Sequence, residues 1–546
     1  MTAQSANGWA LTFGLLAALS ATSVLGQDVT LGISLAGPPA ELVIEGVVSV
    51  GSDQPGEAGL RATLPVELAL PDPPEVVVAV PRSEPIRAAD TAPATTAAVA
   101  EPDPVAIAIA ARLADPKLPL PPKLSPRDRE ALGAFYAAGS HGPLWLKDAA
   151  WNEGARSLIA RLGRADEDGL DPANYPVPVL QAGSQGPTGV DLAEAELKLS
   201  AAAYLYARDA RGGRLDPVRI SALITPKLDL PALGLVLQRL AASSDPGEAL
   251  ETFHPAYAGY RALRSKLAEL RANRPAGPSS RAPGGPALAR QAFAVISDDT
   301  APVARLPKVA SVRLEGDIVA NMERWRWLPA EVAARYIVVN VPEYRLRLIE
   351  DGRVAHEARV ITGRPATPTP IFSGIMDHAI VNPSWHIPPS IMKNEILPGL
   401  AKDPEYAAKR GYEVVRRGKA VSVRQPPGER NALGNIKFMF PNDHAVYLHD
   451  TPNRSLFGAA NRAFSHGCVR VENPFALGGK LLGAAWPETR LRGLVGYGER
   501  MIKLSDRLPV SLTYFTVSID EFGELRTFDD LYGYHRRVRA ALGLGA

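Results

Sequence analysis

Between Gln27 and Lys123 the chain contains no aromatic residue. Pro, Ala, Val and acidic residues dominate instead, as in Pro71-Asp72-Pro73-Pro74 and Pro119-Leu120-Pro121-Pro122. Such a stretch has too little large apolar surface to offset the entropy of ordering its backbone. The composition predicts an extended, disordered tether over 27–124, with at most a short local strand at 75–80. Folding is thereby confined to the residues that follow. Ahead of the tether, residues 10–26 form an apolar run that ends in small residues. It reads as a signal peptide over 1–26, cleaved after Gly26. The rival reading is an uncleaved inner-membrane anchor, although the run is short for a span and no Lys or Arg precedes it. A buried N-terminal helix is the plain structural alternative.

Residues 125–273 carry helical signals. Ser125-Pro126-Arg127-Asp128 combines a capping serine, a proline in the first turn and an early acid. Residues 155–162, 192–207, 235–240 and 257–270 repeat apolar positions at helical spacing, 192–207 as an amphipathic helix. Asp168-Gly169-Leu170-Asp171-Pro172 and Gly212-Gly213 supply turns. An all-helical domain follows. Residues 274–310 are rich in Pro, Gly, Ser and Ala and read as a linker.

The remaining chain changes period. A helix over 312–327 leads to strands at 336–341, 344–349 and 355–361, with Asp351-Gly352 as the turn between the last two. Short strands with frequent turns predict a β-rich, sandwich-like domain over 311–519. Residues 393–400 begin a helical lid, residues 508–517 are a closing strand, and 520–546 are a C-terminal tail with a short basic helix. The fold class is α+β.

The single cysteine, Cys468, lies in Ser465-His466-Gly467-Cys468-Val469-Arg470-Val471, with His449 upstream. A thiol with a pKa near ~8.5 is little ionised at neutral pH. An imidazole can take its proton and leave an ion pair, making the sulfur a nucleophile. Gly467 permits close backbone approach, and the amides of Gly467 and Cys468 can point at a developing oxyanion. Two other readings use the same residues. A lone Cys is often a small buried hydrophobe. His444, His449, His466 and Cys468 are zinc-ligand types, although their spacing fits no usual zinc pattern.

His449-Asp450-Thr451-Pro452, Phe457 and the run from Arg462-Ala463-Phe464-Ser465-His466-Gly467-Cys468 to Asn473-Pro474 resemble the active-site signature of the L,D-transpeptidases, the YkuD-type catalytic domain. That signature is an upstream His, a gap, then Ser/Thr-His-Gly-Cys, a hydrophobic residue, Arg and commonly Asn. The interval from His449 to Cys468 suits the family. Phe135-Tyr136, Leu144-Trp145, the stretch from Asp168 to Tyr175 and Gly213-Arg214-Leu215-Asp216-Pro217 are similar to the scaffold domain of the large periplasmic members. Asn321-Met322-Glu323-Arg324-Trp325-Arg326-Trp327 resembles the same family. So do Asn382-Pro383-Ser384-Trp385 and the capping-loop region 425–434. The linker is too short for the peptidoglycan-binding module that large relatives often carry there.

The resemblance implies a periplasmic enzyme of the Gram-negative cell envelope, acting in cell-wall biogenesis and cell shape. Its partners would be peptidoglycan tetrapeptide stems as donor and acceptor, with carbapenems as acylating inhibitors. No metal or cofactor is implied. Cys468 would attack the carbonyl of the third-position diamino acid, release the terminal D-alanine, and pass the acyl group to the amine of a second stem. His449 would be the base and then the acid, with His466 its competitor in sequence terms. Ser465 would orient the base. Arg470 would hold a substrate carboxylate or brace the loop through a salt bridge. Tyr447 and Trp385 would line a peptide groove or pack in the core. His466 and Asn473 complete the substrate-side set, Asn473 as a loop brace. Water as acceptor would give an L,D-carboxypeptidase, and a protein lysine would give wall attachment. A degenerate site would leave a non-catalytic wall-binding factor. The net charge of +2, from 60 basic and 58 acidic residues, leaves no footprint for nucleic acid.

Overall fold

The computed structural model describes residues 103–115, 124–180, 187–273, 308–417 and 420–545, together with three short strands nearer the start. The expected signal peptide, the strand at 75–80 and most of the linker lie outside the described residues. In the N-terminal unit, Thr30–Ile33, Ile44–Val48 and Ala58–Arg61 pair antiparallel in sequence order. The composition predicts a tether there. Among the described residues no helix is long and apolar enough to cross a membrane.

The C-terminal end of the expected tether is helical instead. Helix α1 (Pro104–Ala114) starts on Asp103, whose carboxylate accepts the Val105 N–H at 2.8 Å. Its Ile109 is fully buried in the helical core. The alternation of Ala with Val and Ile looks like tether composition and leaves Ile107 exposed, but Val105, Ala108, Ile109 and Leu113 fall at helical spacing and make one apolar face. Helices α2 (Pro126–Ala138), α3 (Glu153–Gly163), α4 (Gly189–Gly212), α5 (Leu233–Ala241) and α6 (Ala258–Ala272) complete the helical domain. Ser125 and Asp128 form a reciprocal capping box on α2, as the sequence predicts. Helix α4 is not amphipathic. Ala193, Ala195, Ala201, Ala202, Ala203, Ala207 and Ala210 are all buried, and their small side chains let neighbours pack around the helix. Even Glu196 is enclosed there. It accepts the Tyr136 hydroxyl at 2.7 Å and the Leu144 and Trp145 N–H groups.

Helix α7 (Lys308–Trp325) carries the chain from the helical domain into the β-rich one. Trp325 stacks on Phe515 with ring centroids 4.2 Å apart and also meets Tyr257. Arg326 is enclosed and donates to Asp168 O and to the Tyr260 hydroxyl. The loop after Ile220 pairs with the β-rich domain directly, Thr225 N–H to Ile371 O at 2.9 Å.

The β-rich domain contains β1 (Arg335–Asn340), β2 (Arg345–Glu350), β3 (Arg353–Gly363), β4 (Phe372–Val381), β5 (Trp385–His386), β6 (Glu413–Arg417), β7 (Ala420–Gln425), β8 (Ile436–Met439), β9 (Leu448–His449), β10 (Ala463–Ser465), β11 (Val469–Val471) and β12 (Arg500–Thr513). The main sheet runs β10-β3-β11-β9-β8-β4-β12-β1-β2, and β2 also pairs with β3, so the sheet folds back on itself. Asp351 and Gly352 turn β2 into β3 with φ of +48° and +76°, the left-handed pair that a tight hairpin requires. The enclosed face holds Ile337, Val339, Leu346, Phe438, Leu448, Val469 and Val471, closed by helix α8 (Pro474–Leu482).

Residues 520–546 are not a tail. Helix α9 (Tyr534–Ala541) packs on α7, where His535 and Arg539 both reach Asp317. Tyr532 donates its hydroxyl to Gly363 O at 2.6 Å and receives the Thr369 N–H.

Candidate active site

Strand period decides which side chains meet. In β8, β9 and β11 the residues Ile436, Phe438, Leu448, Val469 and Val471 point into the core. Their neighbours must point outward. Those neighbours are Lys437, His449 and Arg470, and the register pairs Lys437 with His449 and His449 with Arg470. Tyr447 and Cys468 lie one pleat further along the same face, two residues before His449 and Arg470. The rings of Tyr447 and His449 have centroids 5.6 Å apart. The fold thus brings Cys468, His449, Tyr447 and Arg470 together.

His449 is buried beneath the capping loop. Asn431 holds that loop, donating to Pro383 O and Pro426 O and accepting the Leu433 N–H at 2.8 Å. Gly434 then passes Asp450 with φ of +60°; a Cβ there would stand 2.4 Å from the Asp450 carboxyl carbon. His449 Nδ1 donates to Asp450 O at 2.5 Å, which leaves the lone pair on Nε2. Burial, with the Arg470 charge beside it, pulls the imidazole pKa down to about 3. The thiol of Cys468 is pushed up by burial, against the opposing pull of Tyr447, Arg470 and Lys437. Both shifts favour the neutral thiol and the neutral imidazole over the ion pair that the sequence reading describes.

The turn before Cys468 corrects two further expectations. Ser465 does not orient His449. Its hydroxyl donates to Cys468 O at 2.5 Å and accepts the Gly467 N–H at 3.1 Å, so it braces the nucleophile turn. The Gly467 amide is thereby engaged and unavailable to an oxyanion. The Cys468 N–H makes no hydrogen bond among the described residues and remains a candidate donor. Thr369 fixes the turn from behind, accepting the Gly363 N–H and donating to Gly467 O, both at 2.8 Å. The sequence reading gave Thr369 no part in this turn and missed Tyr532, because nothing short-range connects them to Cys468.

His466 faces away from the thiol. Its Nε2 lies 2.7 Å from the Glu395 carboxylate and 2.9 Å from Arg364. Glu395 belongs to a lid built from Pro389–Ile391, a π-helical turn Met392–Ile396, Leu397–Lys402 and the small sheet β5-β7-β6. The lid has its own core of Ile387, Ile396 and Val423, flanked by Trp385. Trp385 is half-buried, and both its indole and the Cys468 thiol act on the Tyr447 hydroxyl. Tyr447 and Trp385 thus join the lid to the nucleophile. Asn473 takes φ of +47° where β11 turns into α8, and its exposed side chain makes no hydrogen bond among the described residues. It shapes the backbone there and is not gathered with the thiol. His444 bonds the Thr225 hydroxyl at 2.7 Å. With His466 on Glu395, the four zinc-ligand types do not converge.

Residues 334–510 match the L,D-transpeptidase catalytic domain (YkuD), and residues 130–267 match the Scaffold domain. The chain carries an L,D-transpeptidase catalytic domain joined to a scaffold domain. It is 34% identical over 255 residues to the Haemophilus influenzae protein named "Putative L,D-transpeptidase". That match covers 43% of this chain and 51% of the relative, so the chain spans about half the relative's length. Among solved structures it is similar to the L,D-transpeptidase from Mycobacterium smegmatis, at 16% identity and a TM-score of 0.19, covering 33% of this chain and 59% of that one. It is also similar to the catalytic domain of the E. faecium L,D-transpeptidase acylated by ertapenem, at 17% identity and a TM-score of 0.17, covering 33% and 98%.

Proposed function

We propose that this protein is an exported peptidoglycan L,D-transpeptidase that links third-position diamino acids through a thioester on Cys468. The observation that carries this reading is the shared outer face of β9 and β11, where Cys468 and a neutral His449 lie beneath one lid. Sγ attacks the carbonyl while His449 Nε2 takes the thiol proton, so no standing thiolate is needed. The Cys468 N–H meets the oxyanion, and Arg470 holds a substrate carboxylate. His449 returns its proton to the amine of the departing D-alanine, leaving the thioester. The amine of a second stem then attacks, His449 takes that proton, and the thiol is restored. Arg470 has no acidic partner among the described residues, which favours the substrate-holding role over a loop brace. Residues 1–26 direct export to the periplasm, and carbapenems acylate the same sulfur.

The test is intact mass after incubation with a carbapenem and, separately, with a disaccharide tetrapeptide. Wild type, Cys468→Ala and His449→Ala are compared. A drug adduct absent from Cys468→Ala, together with cross-linked dimer, supports the reading. Adduct with only free tripeptide makes the protein an L,D-carboxypeptidase. A folded wild type that gives neither adduct nor product overturns it.

A further inference from the structure

Two cations on the active-site face lack an acidic partner. Arg470 on β11 and Lys437 on β8 stand either side of His449, in one row across three adjacent strands. Neither side chain makes a hydrogen bond or ion pair among the described residues, and Arg470 Nε is buried with no partner. The Lys437 ammonium lies 5.6 Å from the centre of the Tyr447 ring. Glu499 acts on Lys437 from nearby, but its carboxylate accepts the Ser384 N–H and closes no ion pair. An unpaired, half-buried cation costs free energy, and such a row attracts an anion.

Building on the transpeptidase reading, we propose that Lys437 binds the terminal carboxylate of the departing amino acid, so that the site selects donors by their free C-terminus. The direction of the row gives the argument. The reacting carbonyl carbon sits on Sγ of Cys468, on the β11 side. The departing amine must lie at His449, which protonates it. In an α-amino acid the carboxylate carbon is two bonds beyond that amine, at ~1.5 Å per bond. The next group along the row, one strand further at ~4.8 Å, is Lys437. The C–N bond breaks as the tetrahedral adduct on Sγ collapses to the thioester, the thiol proton leaves on the amine through His449, and the carboxylate departs unchanged. A stem continued by a further residue would set a neutral amide against the ammonium and bind less well.

The experiment compares two donors, a tetrapeptide ending in a free carboxylate and the same peptide ending in a carboxamide. Binding is measured by calorimetry in Cys468→Ala protein, and turnover in protein that keeps Cys468. Each is done with Lys437, Lys437→Met and Lys437→Arg. With Lys437 the acid is preferred by about tenfold to a hundredfold, the effect of a charge-assisted bond. Lys437→Met brings that ratio close to one by weakening the acid, and Lys437→Arg restores most of it. A ratio that survives Lys437→Met overturns the proposal, because a cation that only tunes the thiol treats both donors alike. The expected binding ratio without any acyl transfer sustains this role for Lys437 and removes the transpeptidase reading. Failure of both donors to bind removes both.

Discussion

Glu395 of the lid meets His466 Nε2 at 2.7 Å, so the histidine beside the nucleophile is tied to the cover of the site and not to the thiol. His449, two strand positions from Tyr447, is left as the proton carrier. His449→Ala is expected to slow carbapenem acylation of Cys468 by about 10²–10⁴-fold, the usual worth of a positioned base. His466→Ala is expected to leave that rate within a few-fold and to raise KM for the peptide donor by freeing the lid. Intact-mass time courses and a substrate titration check both. The reverse pattern would make His466 the base.

The neutral resting pair has its own signature. Burial pushes the Cys468 thiol up, while burial and Arg470 hold His449 down at about 3. Alkylation by iodoacetamide, read by mass from pH 5 to 10, is expected to keep rising past the ordinary thiol range of ~8.5. A plateau between pH 6 and 8 would mean that an ion pair exists before substrate arrives.

The reactive stretch was legible because its chemistry is local. Ser465 to Arg470 are contiguous, and the period of two places Arg470 on the thiol's face without any structure. The turn's braces were not legible. Thr369 lies 98 residues before Gly467, and Tyr532 reaches Gly363 across 169 residues. No periodicity reports a contact at that distance. Lys437 was missed for another reason. It lies between Ile436 and Phe438 in β8, and the register with β9 is needed before it stands beside His449. The helix at Pro104–Ala114 was hidden by composition, since its stability comes from burying Ile109 against α4 and not from its own propensity.

The C-terminal residues are expected to be essential to the β-rich domain. Tyr532→Phe removes a hydroxyl that serves both Gly363 O and Thr369 N–H. It is expected to cost about 1–2 kcal/mol and to slow acylation by loosening the loop behind Gly467. Ending the chain at residue 519 also strips Tyr534 from Tyr514 and Arg539 from Asp317, and should give insoluble protein. Thermal melts of both variants check this. A soluble, fully active truncation would mean that the segment is dispensable.

In the scaffold core, Glu196 and Asp168 respond to pH in opposite directions. Burial raises the Glu196 carboxyl to about 7. Its contribution to stability is present below the unfolded value near ~4.3 and is lost as pH rises through about 7, a change of roughly 3 kcal/mol. Asp168 is fully enclosed, and burial alone would raise it. The His254 hydrogen bond and the charges of His254 and Arg264 hold it well below the usual carboxylate range. Its contribution is present above the unfolded value near ~3.9 and is lost only as pH falls below that. Asp168→Asn leaves Arg161 and Arg264 without their shared buried partner and is expected to cost about 3–5 kcal/mol at pH 7. Glu196→Gln cannot ionise and should remove the decline between about pH 4.3 and 7. Urea melts at pH 5, 6.5 and 8 separate the two effects. A wild type whose stability does not fall from pH 5 to 8 relative to Glu196→Gln would show that Glu196 keeps its charge in the core.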